Sequence, residues 1–170
     1  MDNENFILDL LKKLVMNEVD FVVCGGIACV LQGCERTTFD LDIAVSFENE
    51  NIERLVSFFK ENSVFIPRIP EPIEKLKDKA TREKWIKEKN ALVYTLITKD
   101  GMFQIDIFLW YPIDFETLKR NADVFKIEGI EIKVSSKEDL IKAKEMINPL
   151  RDKDLLDIKE LKRIIDEEKD

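Results

Sequence analysis

Apolar residues at Phe6, Ile7, Leu10, Leu11 and Leu14 fall three and four apart and predict an amphipathic helix over residues 5–17. Asn17 to Asp20 then turns into a short apolar run, Phe21 to Cys24, which reads as the first strand. Gly25-Gly26 predicts a strand-to-helix turn, and Ile27, Val30 and Leu31 carry a helix to about Gln32, stopped at Gly33. A second strand covers Asp40–Val45. Helical spacing returns at Ile52, Leu55, Val56 and Phe59, within residues 49–62, and a short strand is expected over 63–66. Beyond Pro67, Pro70 and Pro72 lies the highly charged stretch Glu74 to Lys89, with Leu76, Ala80 and Trp85 on one side. It predicts one mobile surface helix at the rim of the fold.

Ala91–Thr98 and Met102–Trp110 read as strands, with Asp100-Gly101 between them as a hairpin signal. Residues 112–121 suggest a short helix. A second hairpin, Val124–Ile127 with Ile130–Val134, turns at Glu128-Gly129. Ser135-Ser136-Lys137-Glu138-Asp139 has the form of a capping box, opening a helix that ends near Asn148-Pro149. A last helix runs from about Arg151 to Glu167. The order predicts an α/β (α+β) fold, a mixed β-sheet flanked by helices with a C-terminal helical pair. With 170 residues, a single domain is expected, residues 1–134 forming the core and 135–170 helices packed on it.

Charge narrows the function. A net charge of -8 argues against broad nucleic-acid binding, which needs a basic footprint. The stretch from Lys75 to Lys87 is rich in lysine, but acids alternate with the bases, so it reads as a mixed solvated surface. Cys24, Cys29 and Cys34 lie close together, and the chain has no histidine. Buried, reduced thiols in a cytoplasmic protein are expected rather than a zinc site or disulfides. The acidic, polar start does not read as a signal peptide. The longest apolar stretch, Phe21 to Leu31, is too short to span a membrane. Abundant Lys and Glu with few Gly point to a thermophilic source.

The chemistry begins at Asp40-Leu41-Asp42. Residues two apart on a strand share a face, so these carboxylates stand roughly 6.6 Å apart along it and repel one another. Phe39, Leu41 and Ile43 take the other face. A third acid, Asp106, lies within the apolar run Ile105 to Leu109, where an uncompensated carboxylate costs several kcal/mol. If its strand neighbours Asp40–Val45, the three acids form one oxygen-rich patch suited to Mg²⁺, with Mn²⁺ as a substitute. Two such ions about 3.5–4 Å apart form the usual clamp for nucleotidyl displacement. Gly25-Gly26 can let backbone N–H groups approach a phosphate. Alone, the glycine pair marks only a tight turn; followed by Asp40-x-Asp42 and a distant acid it is far more specific.

This pattern resembles the nucleotidyltransferase superfamily, with its polymerase-beta-like fold. Gly25-Gly26-Ile27-Ala28 and Arg36-Thr37-Thr38-x-Asp40 are similar to a minimal bacterial and archaeal branch. That branch includes AbiEii-type toxin enzymes and the lincosamide and aminoglycoside nucleotidyltransferases. Ser136 to Lys144 and Arg151 to Asp157 are similar to the end of AbiEii-like chains, where a helix lysine and an Arg-x-Lys-Asp segment border the active site. The likeness touches residues 19–45, 101–109 and 135–158, and departs in having no serine after the glycines.

The resemblance implies that Asp40 and Asp42 hold the metal bridging an NTP such as ATP. Asp106 would complete a second metal site and accept the proton of the attacking hydroxyl. Gly25, Gly26, Thr38, Arg36 and Lys144 would hold the nucleotide's phosphates. The implied activity is Mg²⁺-dependent transfer of an NMP to an acceptor hydroxyl on a small molecule, tRNA or protein. Alternatives are a non-catalytic nucleotide-binding module and a toxin–antitoxin component with a partner protein. Among the basic residues, Arg36 reads equally as a structural bridge to Glu35, Asp40 or another acid. Lys144 is one of many lysines expected on a solvated helix face, and Arg151 with Asp154 suggests a helix-start pair. Trp85 and Trp110 are expected to be packing residues.

Overall fold

The structure, a computed structural model, describes residues 3–147 and 149–170. These residues form seven α-helices and seven strands. They are α1 (Asn3–Met16), β1 (Phe21–Cys24), α2 (Gly25–Leu31), β2 (Asp40–Val45), α3 (Asn49–Glu61), β3 (Phe65–Pro67), α4 (Lys79–Lys89), β4 (Val93–Thr98), β5 (Gln104–Phe108), α5 (Phe115–Asn121), β6 (Asp123–Ile127), β7 (Ile130–Val134), α6 (Lys137–Glu145) and α7 (Asp152–Glu168). One mixed sheet runs β3-β4-β5-β2-β1-β7-β6. Its β2–β5 and β1–β7 pairs are parallel, the remainder antiparallel.

The two hairpins form where the turn residues require them. Gly101 and Gly129 both have positive φ, as does Glu128 before the second. β1 lies near the middle of the sheet and is buried on both faces, which accounts for its unbroken apolar run. Phe21 and Val23 point into the larger core with α1 and α3, while Val22 and Cys24 point into a smaller one with Ala44, Ile113 and Leu118. Asn51 joins the ends of β1 and β2: its Oδ1 accepts from Asp20 N (2.6 Å), and its Nδ2 donates to Ser46 O (2.8 Å).

Several local expectations change. The charged stretch is two helices rather than one, a 3₁₀ turn over Ile73–Lys77 and then α4, separated at Asp78. It is also anchored. Leu76 and Trp85 are buried in the main core, and Trp85 stacks on Tyr94 with centroids 6.0 Å apart. Ala80, by contrast, is exposed. Charge hid this segment's buried side, because Arg82 lies over the Phe47 ring and lysines 75 and 77 reach Glu71 and Glu53. Trp110 is not a packing residue; just past β5, it is 46 % exposed.

Ser136 caps α6 through its side chain, accepting from Asp139 N at 3.1 Å. α6 ends at Glu145, and the expected stop at Asn148 lies outside the described residues. Leu140 of α6 and Leu161 of α7 both enter the main core.

Candidate active site

β2 and β5 run side by side in parallel, with Asp42 opposite Asp106 and Asp40 opposite Gln104. Since side chains two apart share a face, Asp40, Asp42, Asp106 and Gln104 all emerge on one side of the sheet. The antiparallel pair β1–β2 sets Cys24 opposite Asp42, which places the following glycine turn against that carboxylate. A Cβ on Gly25 would stand 2.1 Å from Asp42 Oδ2 and 2.9 Å from Asp42 Cβ, and Gly25 has φ +60°. Only glycine meets both demands. A Cβ on Gly26 would come within 3.1 Å of Thr38 Oγ1 and 3.2 Å of Arg36 Nη2. The chain therefore brings Gly25, Gly26, Arg36, Thr38 and Asp42 into one cluster.

The electrostatics of the acids are lopsided. Burial, then the charges of Asp106 and Asp40, push the Asp42 carboxyl up from its ordinary 3.8 to about 7. Both Asp106 oxygens are held: Thr95 Oγ1 donates to Oδ1, and Gln104 Nε2 donates to Oδ2 at 3.0 Å. Asp40 stands exposed at the start of β2. Among the described residues, no three acids or thiols close into a preformed metal cage. The donor set nonetheless fits a hard divalent cation. Two in-register carboxylates repel across adjacent strands, a third lies two residues away, and a cation would relieve the repulsion that raises Asp42.

Arg36 bridges to an acid, as one reading of its sequence expects, whereas Lys144 occupies a different environment from the one its sequence suggests. Arg36 pairs with Asp157. Lys144 is 8 % exposed rather than solvated, and its Nζ lies 3.0 Å from Asp157 and 3.4 Å from Asp154. Arg151 closes the cluster with Nε 2.7 Å from Asp154, the helix-start pair expected at α7. Burial works to lower the Lys144 pKa, but Cys29, Asp157 and Asp154 outweigh it and hold the amine above its ordinary value. Three cations thus surround two buried acids, leaving an excess of one positive charge behind the glycine turn. The field of Lys144 reaches Asp42 and opposes its rise.

Beneath the acids, buried Cys24 and the partly buried Tyr111 form a floor, with the Phe108 ring 4.7 Å from Tyr111. Burial pushes the Cys24 thiol to about 12 and carries the Tyr111 phenol well above its ordinary range. The three cysteines are free and buried. A cavity of about 350 Å³ opens between α1, α2 and the 36–39 loop. It touches Arg36 and Thr38 but none of the three aspartates, and Ile7, Leu11, Ile27 and Phe39 make it apolar.

Sequence reading missed Asp157, Thr95, Gln104 and Arg68. Asp157 carried a signal, an acid on the apolar-periodic side of α7. Thr95, Gln104 and Arg68 carried none, because their roles arise from pairing between distant strands.

The seven-stranded mixed sheet with its flanking helices has the nucleotidyltransferase-like fold. Solved structures with this fold align along nearly the whole chain. Lincosamide antibiotic adenylyltransferase LnuA, in a lincomycin-bound crystal structure, is 17 % identical with a TM-score of 0.60, over 95 % of this chain and 96 % of its own. ANT(2")-Ia, in complex with adenylyl-2"-tobramycin, is 13 % identical with a TM-score of 0.59, over 97 % of this chain and 90 % of its own. An antigenic nucleotidyltransferase-like protein from Paracoccidioides brasiliensis is 17 % identical with a TM-score of 0.56, over 94 % of this chain and 75 % of its own. No protein-family profile matches the sequence. No curated protein matches it either.

Proposed function

We propose that this chain is a Mg²⁺-dependent nucleotidyltransferase that moves an NMP from an NTP to an acceptor hydroxyl. The observation carrying the reading is Asp42 facing Asp106 in register, with the bare Cα of Gly25 against Asp42. Asp40 and Asp42 would hold one ion and Asp106 a second, and Mg²⁺ bound there supplies charge neutralisation for a triphosphate.

The protein's own groups divide the work by side of β2. On the β1 side, no side chain caps α2, so its first-turn N–H groups remain available to a phosphate. Arg36 and Thr38 overlie Gly26, and Lys144 adds charge from behind. On the β5 side, Asp106 takes the proton of the acceptor hydroxyl. The acceptor oxygen then bonds to the α-phosphorus, the bond from that phosphorus to the bridging oxygen breaks, and pyrophosphate leaves.

We favour a small-molecule acceptor. LnuA and ANT(2")-Ia, aligned over almost their full lengths, are described with an antibiotic and an adenylylated antibiotic. The net charge of -8 opposes a polyanionic acceptor such as tRNA. Incubation with labelled NTPs, Mg²⁺ and a panel of hydroxylated small molecules, tRNA and proteins tests the reading. Label transfer with pyrophosphate release is expected from the wild type and not from Asp42→Asn. Transfer that survives this substitution refutes the site. Nucleotide binding without any pyrophosphate would favour a binding module instead.

A further inference from the structure

Asp106 sits in a closed ring of hydrogen bonds whose other members have no assigned role. Arg68 follows β3, and its backbone N donates to Thr95 O at 3.0 Å. Thr95 Oγ1 donates to Asp106 Oδ1, Gln104 Nε2 donates to Asp106 Oδ2 at 3.0 Å, and Arg68 Nη1 donates to Gln104 Oε1 at 3.0 Å. The orientation of the Gln104 amide follows from chemistry. A guanidinium only donates and a carboxylate only accepts, so the amide oxygen must face Arg68 and its nitrogen Asp106. Among the described residues, Arg68 has no carboxylate within ion-pair distance, although Asp40 and Asp106 both lie near its glutamine partner.

We infer that Gln104 and Arg68 are positioning residues for the metal site, with Arg68 holding the Gln104 amide so that Gln104 and Thr95 aim Asp106 at Asp42. The inference rests on the metal reading above. Asp42 and Asp106 repel each other while no cation lies between them, and a freely rotating Asp106 would swing away. Donors fixed on both of its oxygens resist that rotation. Such outer partners of a ligating carboxylate typically govern metal affinity by 10–100-fold. The arrangement also separates positioning from simple charge. By Coulomb's law alone, deleting the Arg68 cation beside a cation site strengthens divalent binding; if Arg68 acts through Gln104, deletion weakens it.

Calorimetric titration of the full chain with Mn²⁺ alone, together with thermal unfolding of each variant, decides the matter. Gln104→Met keeps the side-chain length and is expected to weaken Mn²⁺ binding about tenfold. Arg68→Met should weaken it severalfold and Arg68→Lys much less, with unfolding temperatures near that of the wild type. The double variant should bind no more weakly than Gln104→Met, as two residues acting in series require. Tighter binding by Arg68→Met, or unchanged binding by Gln104→Met, overturns the inference and leaves the metal reading intact. A wild type that takes up no Mn²⁺ overturns both.

Discussion

At Gly25, one missing methyl group allows two elements to meet. A Cβ there would overlap both the Asp42 carboxylate and its Cβ, so rotating the carboxylate cannot relieve the clash, and the positive φ adds strain. Gly25→Ala should therefore lose on the order of 3 kcal/mol by denaturant unfolding, or fail to accumulate folded. Asp42 carries the opposite tension, a group that weakens the resting fold for the sake of the site. Its folded pKa of about 7 lies above the ordinary 3.8, so the folded chain holds a proton that the unfolded chain has released. Its contribution is fully present in acid and is lost as pH climbs from about 4 through about 7. A divalent cation must displace that proton, so Mg²⁺ should raise the melting temperature more at pH 8 than at pH 5.5. Asp42→Asn should abolish this difference. Without metal, it should also stabilise the chain at pH 8 by on the order of 2 kcal/mol.

Among the elements, α4 departs most from its sequence pattern. Most of its residues are charged, yet Trp85 is 5 % exposed and stacked on Tyr94, whose hydroxyl donates to Glu71 O at 2.5 Å. One aromatic therefore anchors a helix that charge alone describes as loose. Trp85→Ala should cost about 3–5 kcal/mol in chemical denaturation, whereas a rim helix would lose only tenths. The hairpins and the Ser136 cap were legible because each depends on residues a few positions apart. The start of α5 was expected at Pro112, but the side chain of Asp114 caps the helix, accepting from Thr117 N at 3.0 Å. Asp114 three residues before Thr117 is a local signal of the same kind.

For the molecule as a whole, the cluster of Arg36, Asp157, Lys144, Asp154 and Arg151 ties the C-terminal helices to the loop over the glycine turn. Asp154 and Asp157 are 1 % and 4 % exposed, so neutralising either leaves buried cations uncompensated. Asp157→Asn is expected to cost about 3–5 kcal/mol by calorimetric unfolding, far beyond a surface ion pair. It should also weaken binding of a non-hydrolysable NTP analogue, because Arg36 loses its anchor. From one chain, lysine 144 looks like any of its surface neighbours; its burial depends on where α7 docks.

The amino-acid order by itself determined nearly every helix and strand, the glycine turn and the three candidate acids, because those signals repeat within one or two turns of chain. Tertiary structure alone decided which acids face one another and which groups hold them. Asp42 meets Asp106 only through the β2–β5 register, and slipping that register by one residue would send one of the carboxylates to the opposite face. Arg68, Gln104 and Thr95 acquire partners by the same pairing across β3, β4 and β5. Such contacts link distant positions through the packing of the whole sheet, and no local periodicity records them.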